Sequence, residues 1–145
     1  MFVFKFEKIK NIKENIINIE IIKLSEINNQ IKQKTLRISE LKDQIKIFYK
    51  RFDDQIKTQV DFSILKYLSE EILACELEIQ STQKTIEELE AKKKAQIEII
   101  KNLHKEIKKF EKLKEHYKER YIYDEKLKSQ NFINDISTIF YNRNS

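Results

Sequence analysis

The chain has 145 residues, 40% hydrophobic and 37% charged, with 29 Lys and Arg against 24 Asp and Glu for a net charge of +5, and it contains no glycine and no proline. Average usage would place about ten glycines and about seven prolines in this length, so the tight turns, phosphate-cradling loops and β-bulges built on them are excluded, along with P-loop and dinucleotide fingerprints. A multi-strand β-fold and an active site assembled from several loops go with them, and what remains is helix.

The length suits one domain. Charge and hydrophobe are finely interleaved, which suits long thin helices with one apolar stripe and a large wet surface. The start, Phe2-Val3-Phe4-Lys5-Phe6-Glu7, is apolar but broken by charge at once. It has no h-region and is not read as a signal peptide. No stretch approaches the ~18 uninterrupted apolar residues of a membrane span, so no membrane insertion is expected. A single cysteine, Cys75, excludes an intramolecular disulfide and fits a reducing, cytoplasmic setting.

A first helix is expected over about residues 2–56. Its seam alternates steps of three and four through Leu24, Ile27, Ile31, Lys34, Ile38, Leu41, Ile45, Phe48 and Phe52, with Lys34 the polar exception. Upstream, Ile9, Ile12, Ile16 and Ile19 keep the same spacing, and the sequence places a phase slip before Leu24. Residues 53–63 then lose the pattern and cluster helix-capping types. Thr58 with Asp61, Asp61 itself, or Ser63 can each open the second helix, which puts a tip at about 57–63.

The second helix is expected from about 64 to 128 or beyond. Its seam runs from Leu65 and Leu68 through Ile72, Cys75, Ile79, Ile86, Leu89, Ile100, Leu103, Ile107 and Phe110 to Tyr117 and Tyr121. The polar residues Thr82, Lys93, Gln96 and Lys114 interrupt it. Lys93 and Gln96 either loosen the seam or select its register. The whole reads as an all-α fold, a long antiparallel two-helix coiled-coil hairpin. A single unbroken helix in a parallel dimer is the competing picture, and the break at 53–63 favours the hairpin. With the turn near residue 60, roughly 25 C-terminal residues outrun the first helix. That overhang, about 120–141, carries Phe132, Ile133, Ile136, Ile139, Phe140 and Tyr141 with no partner in its own chain, the mark of a binding face.

Residues for chemistry are sparse. His104 and His116 share no helix face and have no second ligand at i+3 or i+4, so no metal site is expected. Cys75 sits on the seam as a small hydrophobe. Glutamates on a wet helix surface do not form a dry carboxylate pair, and a two-helix rod has no solvent-excluding cleft. The sequence therefore predicts no enzyme and no cofactor. Residues 101–128 hold ten Lys and Arg against six Asp and Glu, yet only four of the chain's cations are Arg. A solvated Lys/Glu face fits this better than a nucleic-acid contact. Aromatics cluster at both ends: Phe48, Tyr49, Phe52, Phe62 and Tyr67 near the tip, and Phe2, Phe4 and Phe6 near Tyr117, Tyr121 and Tyr123. They either close fraying ends or supply docking anchors, and the two roles are compatible.

Three regions carry a family resemblance. They are the opening Phe2-Val3-Phe4-Lys5-Phe6-Glu7-Lys8-Ile9 with Lys13-Glu14, the stretch Leu65-Lys66-Tyr67-Leu68 leading to Ile72, and Lys108-Lys109-Phe110-Glu111-Lys112-Leu113-Lys114-Glu115 followed by Gln130-Asn131-Phe132-Ile133-Asn134-Asp135. In these the chain resembles the flagellar FliJ family and its injectisome relatives over its whole length. It departs in the amides Asn131 and Asn134, where the family carries a lysine and an acid, and in a tip without glycine.

The resemblance implies a non-enzymatic stalk of a flagellar or type III export apparatus. Such a stalk sits in the export ATPase hexamer, reaches the cytoplasmic domain of the export gate and handles export chaperones, peripherally at the inner membrane. By analogy with rotary stalks it nominates Phe4, Phe6, Phe110, Leu113, Tyr117, Phe132 and Ile136 for the ATPase ring. It places the gate contact toward the tip, at Phe48, Phe52, Leu68 and Ile72, which also lie on the expected seam. A monomer is expected in isolation. The alternative is a generic cytoplasmic coiled-coil tether or a holdase-type chaperone; a prefoldin-like holdase needs β-hairpins between its helices, for which residues 53–63 are too short.

Overall fold

The computed structural model describes residues 2–58 and 60–144. Helix α1 spans Glu7–Thr58, 52 residues, and helix α2 spans Phe62–Asn144, 83 residues. No strand occurs among the described residues, and the fold is an all-α helical hairpin. With neither proline nor glycine to interrupt them, both helices run unbroken. Thr35, Thr58, Thr85 and Thr138 return their hydroxyls to carbonyls four residues back at 2.7–3.2 Å, so they stay within the helix instead of capping it.

The link between the helices is short. Ser63 N–H donates to Asp61 Oδ1 at 3.0 Å, and Leu65 N–H donates to the Asp61 carbonyl at 3.0 Å, which makes Asp61 the N-cap of α2. Thr58 instead belongs to the last turn of α1, donating to the Asp54 carbonyl at 2.7 Å. No described residue adopts a positive φ. Gln59, inside the tip expected from the sequence, lies outside the described residues.

The chain divides into two compact units, Met1–Ile19 with Ile100–Ser145, and Glu20–Ile99. In the Glu20–Ile99 unit the seam follows the sequence. Leu24, Ile27, Ile31, Ile38, Leu41, Ile45, Phe48 and Phe52 turn inward, Lys34 faces water, and Leu68, Ile72, Cys75, Thr82 and Leu89 are buried on α2. Leu41, 1% exposed, is the most enclosed large side chain. Beside the seam, Arg37 grips Glu78 with a two-pronged fork, Nε to Oε1 at 3.0 Å and Nη2 to Oε2 at 3.3 Å, which sets the register of α1 against α2 here.

The other unit departs from the sequence reading. Ile9, Ile12, Ile16 and Ile19 do not face the seam; their exposures run from 38% at Ile16 to 57% at Ile12. The inward residues lie one position along, at Lys10, Lys13 and Ile17, with Phe6 four residues before Lys10; Ile17 is 5% exposed. Counted back from Leu24 in steps of four and three, the seam passes through Glu20, Ile17, Lys13 and Lys10, so α1 contains no phase slip. Its inward face mixes the apolar Phe6 and Ile17 with the polar Lys10, Lys13 and Glu20 in this stretch. Lys13 Nζ meets Glu106 at 2.7 Å and Lys114 Nζ meets Glu7 at 3.1 Å, both across the two helices. The Glu7 and Glu106 oxygens in these pairs are shielded from solvent, so each ammonium offsets its carboxylate's desolvation.

Helix α1 also starts at Glu7 rather than near residue 2. The preceding residues dock by their rings instead of coiling. Phe2 lies 5.7 Å from Tyr121, Phe4 6.1 Å from Tyr117, and Phe6 6.3 Å from Phe110, centroid to centroid, in tilted pairs. Each such contact contributes about 0.5–1.5 kcal/mol beyond the area it buries. A turn from the Phe4 carbonyl to Glu7 N–H at 3.2 Å then opens the helix.

Candidate functional site

At the end of the unit that holds both termini, Phe4 and Phe6 meet edge to face at 5.9 Å, and Tyr117 packs on both. Phe4 is buried, Phe6, Phe110 and Leu113 are half-buried, and Tyr117 is exposed. Four of the seven nominated ring-contact residues, Phe4, Phe6, Phe110 and Tyr117, thus belong to one aromatic cluster. Phe110 and Leu113 also line a shallow groove with Lys13, Glu106 and Lys109, where their apolar edges reach solvent between charged neighbours.

Beyond Tyr121, α2 continues alone to Asn144. Phe132 is 66% exposed, and Ile133, Ile136, Ile139 and Phe140 are exposed beside it on one broad face. Ile133, Ile136 and Phe140 follow 3/4 spacing, so their side chains stack along one line of the helix. Among the described residues, the aromatic lead-in to α1 meets α2 at Tyr121, through Phe2.

The four residues nominated at the tip end sit in the Glu20–Ile99 unit, where they belong to its packing. Leu68 and Ile72 are buried, and Phe48 and Phe52 half-buried. Tyr49, Ile56, Phe62, Ile64, Tyr67 and Leu73, by contrast, offer exposed apolar surface near them. Leu73 stands one position past the seam residue Ile72, so a helical wheel phased on Leu68 and Ile72 would have shown it facing out.

Cys75 is buried, with Sγ 3.8 Å from Gln44 Oε1. Burial pushes its thiol up, and the carboxylates of Glu71 and Glu78 push it further. His104 and His116 lie exposed on α2. Among the described residues no group of three or more His, Cys, Asp or Glu is placed to hold a metal ion, and no helix is long and apolar enough to cross a membrane.

A paired helical rod segment, an aromatic cluster and an uncovered amphipathic helix end define a coiled-coil interaction protein. The chain belongs to the FliJ family: the family described as "Flagellar FliJ protein" matches residues 2–145. That membership assigns it to flagellum biogenesis and type III protein export, among non-catalytic structural components. No curated protein and no solved structure matches it significantly.

Proposed function

We propose that the chain is the non-enzymatic stalk of a type III export apparatus, inserted into the export ATPase ring and linking it to the cytoplasmic domain of the export gate. Its family supports the export setting. The observation that carries the ring contact is the overhang, where Phe132 and Ile136 stand exposed on a helix no longer covered by α1. Large uncovered side chains at helical spacing are what a groove or ring lumen grips. The half-buried edges of Phe110 and Leu113, with Tyr117 beside them, extend that surface toward the helix pair.

The gate contact falls to the tip end. Phe48 and Phe52 contribute their solvent-facing edges, and Leu68 and Ile72 act from beneath by holding Tyr67 and Leu73 outward. Export chaperones are a third class of partner, and the location is peripheral to the inner membrane.

The test is binding of the purified chain to the purified export ATPase and, separately, to the gate's cytoplasmic domain. Phe132→Asp with Ile136→Asp is expected to abolish ATPase binding and spare the gate. Tyr67→Asp with Leu73→Asp is expected to do the reverse. Loss of neither interaction in the matching variant, with helicity intact, overturns the assignment and favours a generic tether.

A further inference from the structure

The outward isoleucines of α1 and the bare face of the overhang are both exposed apolar stripes built on steps of three and four. Ile9, Ile12, Ile16 and Ile19 form one stripe; Ile133, Ile136 and Phe140, flanked by Phe132 and Ile139, form the other. Nothing in their own unit covers either. We propose that a second copy of this chain covers both at once. Two chains meet end to end about a two-fold axis, and each lays its overhang along the isoleucine stripe of the other.

The register follows from contacts within one chain. Tyr121 stands beside Phe2, Lys114 beside Glu7 and Glu106 beside Lys13. Measured along the helix from Tyr121, Ile12 therefore lies roughly 18 Å inward and Ile19 roughly 30 Å. Ile133 lies roughly 18 Å outward from the same point and Phe140 roughly 28 Å. When the two ends abut, the overhang of one chain reaches Ile12 of the second copy with Ile133 and approaches its Ile19 with Phe140. The overhang then runs parallel to that α1, and both stripes keep steps of three and four, so the side chains interleave in the coiled-coil manner.

Two-fold symmetry makes every contact twice. The nine side chains on each copy leave enough area exposed for the paired contact to bury on the order of 1,500 Å², the size of a standard specific interface. The arrangement concerns the free chain and does not rest on the export reading. It departs from the monomer expected from the sequence, because the sequence assigned the isoleucines to the internal seam.

The decisive experiment is mass by light scattering across a wide dilution range, beside a cysteine cross-linking pair. The chain is expected at twice its 17.7 kDa when concentrated, falling toward 17.7 kDa on dilution. Ile12→Asp and Ile136→Asp are each expected to halve the concentrated mass with helicity unchanged, since both residues are exposed. For cross-linking, Ile12→Cys and Ile133→Cys are placed in separate chains, with the unaltered chain, whose Cys75 is buried, as the control. Oxidation is expected to yield covalent dimer from the mixture and not from either variant alone, because like positions lie far apart about the axis. A monomer at every concentration overturns the proposal. So does cross-linking of either variant with itself, or a dimer that survives Ile12→Asp while Ile136→Asp destroys it, which would mean that overhangs pair with each other.

Discussion

Gln96 donates from Nε2 to two acceptors on Glu20, the backbone carbonyl at 2.8 Å and a carboxylate oxygen. Gln96 is buried, so a residue that the sequence marks only as a polar break in the seam has its amide donor satisfied from the opposite helix. A polar seam residue with one well-matched partner penalises every register that separates the two. It selects alignment rather than loosening the pair.

The same contact has a pH signature. The hydrogen bond from Gln96, with Lys23 second, holds the Glu20 carboxyl below its usual range. A depressed carboxyl stabilises the folded chain above the ordinary carboxylate pKa, and that stabilisation is lost as pH falls through the folded value. In Gln96→Leu the Glu20 titration, followed by carboxylate NMR, is expected to move upward. The variant's midpoint of thermal unfolding is expected to fall less steeply than the native one as acid is added. An unmoved Glu20 would remove Gln96 as the cause.

Neighbouring isoleucines give the sharpest check on the rotation of α1. Ile17→Ala is expected to cost about 2–4 kcal/mol in denaturant unfolding, as a large-to-small change at a buried position. Ile12→Ala, on the outer face, is expected to stay within about 0.5 kcal/mol, read at concentrations where the chain is monomeric. Equal costs at the two positions would place the isoleucine stripe back in the seam.

At the short link, Asp61→Ala removes the cap of α2 and is expected to cost about 1 kcal/mol. Ser63→Ala should be near neutral, since the Ser63 backbone, not its hydroxyl, meets the cap. Denaturant midpoints of the two variants separate these roles.

Cys75 is expected to resist thiol reagents in the folded chain, because burial and the nearby Glu71 and Glu78 all disfavour its thiolate. Reaction with an aromatic disulfide should track unfolding, rising when denaturant opens the seam. Prompt reaction in native buffer at neutral pH would show that this part of the seam opens readily.

Much of the hairpin was legible because absence is informative at this extreme. A chain without glycine or proline, with residues at 3/4 spacing and one pattern break, has few folds open to it. The Leu24 to Phe52 seam was readable for a simpler reason: its inward residues are apolar and its outward ones are not. The stretch before it defeats that reading because Ile9, Ile12, Ile16 and Ile19 carry the right spacing in the wrong phase. Spacing alone has no absolute phase, and only counting back from Leu24 reveals Ile17 and Phe6 as the inward pair. The lead-in at Phe2 to Phe6 was misjudged for another reason, since its rings gain more from docking on Tyr117 and Tyr121 than from extending a helix by one turn. Phe132 and Ile136 were legible as uncovered because the first helix is too short to reach them. The surface beside Leu68 and Ile72 was not, because seam spacing names the residues that face inward and leaves the exposed ones to be found by rotation.

The contrast between a charged inward face around Lys13 and Glu106 and an apolar one around Leu41 makes ionic strength a selective reagent. Added sodium chloride screens the Lys13–Glu106 and Glu7–Lys114 attractions. Sulfate, excluded from apolar surface, tightens the packing about Leu41 and Ile72. Amide exchange along α1 should therefore speed up near Lys10 in chloride and slow down near Leu41 in sulfate, so that two salts tune two stretches of one helix in opposite directions.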